Sequence, residues 1–192
     1  TTSVGNSASF AIFAEKVIVE INTNLSPAFE GLHDIYIPSY RPTRQAIPLT
    51  QVDERIGTHA INIDPAKIVG IVINNEYHDS PSTVTEPDDE TQGIANHLIN
   101  FFEQEVAPGR LPLQAGIGSI ANAVLTGLKD SNFEDLVMYS EVLQDCTFEL
   151  IDAGKMKFAS GSSITLSAKY GEKVFNNLDA YKDKLVLRPQ EI

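Results

Sequence analysis

The sequence predicts an α/β fold built from parallel strands with flanking helices. Two observations carry that prediction. Short β-branched runs alternate with segments of helical period, and between Pro112 and Asp145 a strand, a glycine turn, a helix and a second strand follow one another. Parallel strands need crossover connections, and a strand-loop-helix-strand order supplies one. No internal repeat or heptad competes with this reading.

Each element has its own signal. Phe10 to Glu15 reads as a short helix, and Lys16 to Asn22 as a buried strand, VIVEIN, with β-branched residues on both faces. Residues 26–56 hold Pro27, Pro38, Pro42 and Pro48 with little periodicity, a long connection of the kind that is functional or bridges domains. Within it, FEGLHDI (Phe29 to Ile35) and the pair Arg41 and Arg44 fit either surface packing or a wall of a cleft. Ile68 to Asn74, IVGIVIN, is the next strand. It runs into residues 75–90, which hold six acids and neither Lys nor Arg, a composition that favours a solvated loop. Asp89 with Gln92 resembles a capping box for a helix from about Glu90 to Val106, whose Ile94, Leu98, Phe101, Phe102 and Val106 follow helical spacing and predict a buried stripe.

The segment from Pro112 to Asp145 holds most of the functional information. Leu113 to Ala115 is short and apolar, Gly116-Ile117-Gly118 is a turn, Ser119 to Lys129 has helical period, and Asp135 to Ser140 is a strand ending at Glu141. VLQDCTFELIDA then predicts a helix that starts at Glu141 and stops at Gly154, and a helix N-terminus there would keep the carboxylate ionised. Lys157 to Ser167 reads as strand material around a turn at Ser160 to Ser163, Tyr170 to Tyr181 as helix, and Leu185 to Leu187 as a strand halted by Pro189.

In a parallel sheet, ligands bind beyond the carboxyl ends of the strands, so the glycine loop and Glu141 should border one crevice. Two chemistries fit. Gly116, Gly118 and Ala121 spell GxGxxA, a permitted dinucleotide fingerprint, with Glu141 placed as the acid that holds an adenosine ribose. The same parts also suit a loop that stabilises an oxyanion and a carboxylate that attacks a thioester. A strand-end Glu is ordinarily just a cap or a solvated carboxylate, and a glycine pair is what any tight turn needs.

Five stretches separate these readings. QAGIGSIANAV (Gln114 to Val124), MYSEVLQD (Met138 to Asp145), FEGLHDI, IDPAKIVGIV (Ile63 to Val72) and YKDKLVLRPQEI (Tyr181 to Ile192) together resemble the acetyl-CoA hydrolase/transferase family, class I CoA-transferases, with the nearest likeness to bacterial succinyl-CoA:acetate CoA-transferases. The resemblance runs from Ser9 to Ile192. It implies a CoA-transferase-like open parallel sheet, incomplete in a chain that looks like an internal fragment. On that division, residues 1–75 end the N-terminal domain and its connection, and residues 76–192 begin the C-terminal domain. It implies Glu141 as nucleophile, forming an acyl-glutamyl anhydride and then a glutamyl-CoA thioester. Leu113, Gln114, Ala115, Gly116, Ile117 and Gly118 would contact coenzyme A, and the Ile117 backbone N–H would donate to the oxyanion. CoA moves between an acyl-CoA, acetyl-CoA or succinyl-CoA, and a small carboxylate, acetate or succinate; hydrolysis of acetyl-CoA uses the same intermediate. A homodimer is implied for the complete protein. The stretch Arg110 to Leu113 is shorter than is usual in the family, and the family's later glycine-rich segment has no counterpart here.

Composition narrows the alternatives. The formal net charge is −12, with 7 basic against 21 acidic residues in 1–150 and 7 against 5 in 151–192. Nucleic acid is therefore excluded as an expected partner, and polyanionic CoA should find its basic groups in the C-terminal part, where Lys155, Lys157, Lys169 and Lys173 are candidates. Cys146 is the sole cysteine, read as a buried inert thiol. The four histidines are scattered, so no metal is expected, and no serine sits in a nucleophile-elbow context. No apolar run suits a membrane span or a signal peptide, which points to a cytoplasmic protein. An incomplete sheet should expose an edge strand and apolar surface, to be covered by self-association or a partner chain. A dinucleotide-binding oxidoreductase domain and a non-catalytic assembly domain remain the alternatives from other classes.

Overall fold

The computed structural model describes residues 1–76, 81–83, 87–107 and 112–192. Its elements follow the chain as α1 (Ser7–Phe13), β1 (Val17–Asn22), β2 (Ile68–Asn74), α2 (Asp89–Glu105), α3 (Ser119–Leu128), β3 (Leu136–Tyr139), β4 (Val142–Leu143), α4 (Asp145–Asp152), β5 (Met156–Gly161), β6 (Ser163–Ile164), α5 (Ala168–Phe175) and β7 (Leu185–Leu187). His78, the acids Asp79 and Glu86, and Arg110 with Leu111 lie outside the described residues.

Among the described residues the ladders between these strands are all parallel, as the α/β reading requires, while isolated antiparallel bridges join Ser3 to Ser163 and Ile35 to Thr58. The central sheet has the order β3-β5-β7, and isolated parallel bridges widen it at both edges, Leu113 to Met138 on one side and His33 to Leu187 on the other. Backbone bonds seat those edges: the Leu113 N–H donates to Val137 O at 2.8 Å, and the Asp34 N–H to Leu187 O at 2.8 Å. β4 and β6 form a second pair, joined to the main sheet through Gly161, whose missing Cβ would stand 2.7 Å from Leu143 Cγ. That close approach is why the position holds glycine.

One apolar core unites distant stretches of sequence. Phe148, Leu150, Met138, Met156, Leu185 and Leu187 are fully buried in it, and Val4, Ala8, Phe29, Leu32 and Ile35 from the first 35 residues pack into the same cluster. Residues 1–8 and 29–35 thus share a core with residues 125–187.

The β1-β2 pair departs from expectation. VIVEIN was expected to be buried, yet Ile18, Ile21, Val69, Ile71, Val72 and Ile73 are all exposed, Ile73 at 72%. A two-stranded sheet has nothing of its own to cover either face, so β-branched content made the strands without burying them. The expected apolar surface is therefore present.

Helix α2 packs through a stripe that keeps the expected Leu98, Phe102 and Val106 but takes Ala95 and Ile99 in place of Ile94 and Phe101. Ala95 is buried, with Leu98, Ile99, Phe102 and Val106 half-buried along the face toward α3, while Ile94 and Phe101 are exposed. The spacing 95, 98, 99, 102, 106 is as helical as the expected one, and Gly127 on α3 selects it by admitting the Ile99 side chain. The cap sits one residue earlier than expected: Asp88 Oδ1 accepts from the Thr91 N–H at 2.8 Å.

Candidate active site

The glycine loop and the end of β3 are tied together. Ser140 Oγ donates to Ala115 O at 3.0 Å and accepts from the Ala115 N–H at 3.4 Å, and Gln144 Nε2 donates to Gly116 O at 3.3 Å. Gly118 turns the chain into α3 at φ +156°, a conformation that L side chains rarely adopt. Gly116 carries no such constraint and faces open space. Ile117 is 77% exposed, so the loop meets whatever binds there through its backbone and one apolar side chain.

Glu141 occupies a bend between β3 and β4, a correction to the expected helix start. Helix α4 begins only at Asp145, because Val142 and Leu143 first pair with Ser163 and Ile164. The Glu141 backbone is pinned instead by the β5-β6 junction, its carbonyl accepting from the Ser162 N–H at 2.7 Å and the Ser163 N–H at 3.1 Å. Its side chain is exposed, with Oε1 accepting from Gln190 Nε2 at 2.8 Å. Asp145, at the helix start, accepts from the N–H and hydroxyl of Ser167.

Two cavities flank this arrangement. The one of about 280 Å³ contains Glu141 with Gln114, Tyr139, Arg188 and Gln190 on its walls. The other, about 630 Å³, is lined by Ile117, Gly118, Asn122, Val142, Cys146 and Lys169, among others. Gln114 therefore shares the cavity of Glu141, whereas Ile117 and Gly118 line the neighbouring one. Leu113 serves as a sheet edge.

Behind Glu141 lies an ion pair that no local pattern announced. Arg188 and Asp34, 2% and 1% exposed, form a salt bridge across 154 positions of sequence. Arg188 also donates from Nε to Ser160 Oγ at 2.9 Å and from Nη2 to the carbonyls of Val52 and Glu54. Asp34 Oδ1 accepts the N–H groups of Ile56 at 3.1 Å and Gly57 at 2.6 Å. FEGLHDI and LVLRPQEI thus meet in one buried network that fastens the proline-rich connection to the floor of the Glu141 cavity. FEGLHDI is therefore mostly buried packing and not surface, and none of its residues lines the Glu141 cavity, while Arg41 and Arg44 are exposed. Burial pulls the guanidinium's pKa down and raises that of the neighbouring Tyr139 hydroxyl.

The four candidate lysines sit in different settings. Lys155 pairs with Glu134 and Lys173 with Asp152, while Lys169 lines the larger cavity and Lys157 is exposed. Cys146 is buried with its thiol 3.6 Å from Asn122 Oδ1, and burial pushes its pKa up to about 12. Among the described residues no group of three His, Cys, Asp or Glu side chains is placed to hold a metal, and no helix is long and apolar enough to cross a membrane.

Comparison with known proteins agrees on one family. The model of the acetyl-CoA hydrolase/transferase N-terminal domain matches residues 1–73. The chain is 46% identical to an acetyl-CoA hydrolase of Eremothecium gossypii and 45% identical to one of Schizosaccharomyces pombe, each over 195 aligned residues covering 99% of this chain and 37% of the relative. An acetyl-CoA hydrolase of Neurospora crassa is 46% identical over 197 residues. The chain thus spans 37% of the length of the curated relatives it matches. RipA from Yersinia pestis superposes with a TM-score of 0.62 at 20% identity, covering 98% of this chain and 36% of RipA. A 4-hydroxybutyrate CoA-transferase from Porphyromonas gingivalis does so at 0.60 and 20%, covering 98% and 40%. Those two share the fold. With nearly its whole length aligned at these identities, the chain belongs to the acetyl-CoA hydrolase/transferase family.

Proposed function

We propose that the protein carrying this chain transfers CoA from a small acyl-CoA to a carboxylate through a glutamyl-CoA thioester on Glu141. The observation that carries the reading is the placement of that carboxylate. Glu141 stands at the carboxyl end of a parallel strand, its backbone is held by the Ser162-Ser163 junction, and its side chain enters a cavity shared with Gln114 of the glycine loop. A carboxylate attacks a thioester well only where its geometry is fixed and donors await the developing oxyanion. The exposed loop from Gln114 to Gly118 offers backbone N–H groups for that purpose, with Ile117 as the proposed oxyanion donor. CoA would pass from the Glu141 cavity over the loop toward the larger cavity, where Lys169 is the nearest proposed phosphate partner. CoA is here a substrate, and a homodimer with acetate or succinate as acceptor completes the proposal.

A second reading keeps the intermediate and changes the acceptor. Water in place of a carboxylate gives acetyl-CoA hydrolysis, and the named activity of the fungal relatives together with the exposure of Glu141 favours it. Two measurements test the proposal. In the full-length protein, Glu141→Ala should lower acyl-CoA turnover by on the order of 10⁴-fold or more, as loss of a covalent nucleophile does. Quenching of intrinsic fluorescence by CoA and not by NADH should accompany it. Tight NADH binding with turnover retained in Glu141→Ala would return the glycine loop to dinucleotide chemistry.

A further inference from the structure

Tyr139 borders two cavities at once. One is the cavity of about 280 Å³ that contains Glu141, with a polar lining that includes Gln114, Ser140 and Arg188. The other, about 300 Å³, is lined by Ile47, Leu49, Val52 and Pro112, and the hydroxyl of Thr50 beside them is taken up by Glu54 Oε2 at 2.9 Å. Tyr139 is the one residue common to both linings, so its half-buried ring is the wall between a polar cavity and an aliphatic one. That wall and its surroundings are fixed. Arg188 Nη2 donates to the Val52 carbonyl at 3.1 Å, which anchors the 47–52 segment to the buried ion pair. The Tyr139 N–H donates to Leu113 O at 2.8 Å, which seats Pro112 beside β3, and Tyr139 pairs with Ser160 on the other side.

We infer that Tyr139 sets the length of acyl chain the enzyme accepts, by closing off an aliphatic cavity that would otherwise take the carbons beyond the thioester; the inference rests on the proposed glutamyl route. Side chains two apart on an extended strand share a face and stand about 7 Å apart along it. Met138 is buried in the core and Ser140 bonds to Ala115, while Tyr139 and Glu141 line the same cavity. An acyl carbon held at the Glu141 carboxylate therefore has the Tyr139 ring as its next neighbour. A two-carbon acyl group ends short of the ring. A longer one must pass it to reach Ile47, Leu49 and Val52, where each methylene gains by leaving water. The proline-rich connection thereby supplies the far wall of an acyl site, and the ring of Tyr139 keeps that site shut to all but the shortest thioesters.

Chain-length preference is the test. The full-length protein is mixed with acetyl-CoA or with butyryl-CoA, each below saturation, and intact mass follows the rate at which the CoA adduct on Glu141 forms. Tyr139→Ala should raise the butyryl to acetyl rate ratio about 15-fold, the equivalent of two buried methylenes at about 0.8 kcal/mol each. Tyr139→Leu, which keeps an apolar side chain on β3, should raise it in the same direction even if the alanine variant folds poorly. Tyr139→Phe keeps the ring and should leave the ratio near the wild-type value. Val52→Phe added to Tyr139→Ala fills the aliphatic cavity and should bring the ratio back down. An unchanged ratio in both Tyr139→Ala and Tyr139→Leu, a rise in Tyr139→Phe as large as in the alanine variant, or a ratio that stays high with Val52→Phe overturns the acyl site and leaves the glutamyl route standing. Absence of any adduct on wild-type Glu141 with either thioester removes both.

Discussion

Asp34→Ala tests whether the cavity floor depends on the buried ion pair. The substitution leaves the Arg188 guanidinium, 2% exposed, without its counter-charge. Removing one partner of a buried pair costs about 3 to 5 kcal/mol, because the other charge stays desolvated. The Ile56 and Gly57 N–H groups also lose their acceptor, but Gly57 is exposed and water replaces it, so little is added. Urea denaturation followed by circular dichroism should show a loss of about 3 to 5 kcal/mol. The double variant Asp34→Leu with Arg188→Met should cost at least 2 kcal/mol less than the two single changes added together, since it deletes both charges at once. A loss below about 1 kcal/mol in Asp34→Ala, or strict additivity in the double variant, would refute the argument, because a solvated surface pair behaves that way.

Three further outcomes follow from the packing. Gly161→Ala drives a Cβ to 2.7 Å from Leu143, which is fully buried and cannot swing away, so it should cost about 1 to 3 kcal/mol by chemical denaturation, with part of the loss recovered in the Leu143→Ala background. Cys146, its pKa raised to about 12 chiefly by burial, should resist iodoacetamide at pH 8 in the folded protein and label rapidly in urea; fast labelling of the native state would contradict its burial. His33 has its pKa lowered from 6.5, first by burial, so below pH 6.5 the unfolded chain takes up the proton before the folded one does. Stability should therefore fall as pH drops through 6.5, and His33→Gln should flatten that part of the profile of urea midpoint against pH.

The fold was legible where local chemistry decides it. Ile68–Asn74 and Leu185–Leu187 form at the expected residues because β-branched and aliphatic runs bounded by polar or proline stops leave the backbone little choice. What a strand packs against is not written in the strand, which is why β1 was expected to be buried and is exposed. The start of α4 slipped from Glu141 to Asp145 because a two-residue pairing with β6, a contact about 21 positions away, intervenes. Glu141 and the glycine loop were singled out by their order and the family resemblance, and the structure sets them at neighbouring strand ends. Asp34 and Arg188 lay inside two of the stretches that carry that resemblance, yet their pairing across 154 residues has no periodicity to reveal it.

Borohydride trapping of the full-length protein after incubation with acetyl-CoA, with peptide mapping of Met138 to Asp145, tests the central claim most directly. The glutamyl thioester should be reduced to an alcohol at Glu141, dependent on acetyl-CoA and absent from Glu141→Ala. An unmodified Glu141 in protein that still turns over acetyl-CoA would contradict it.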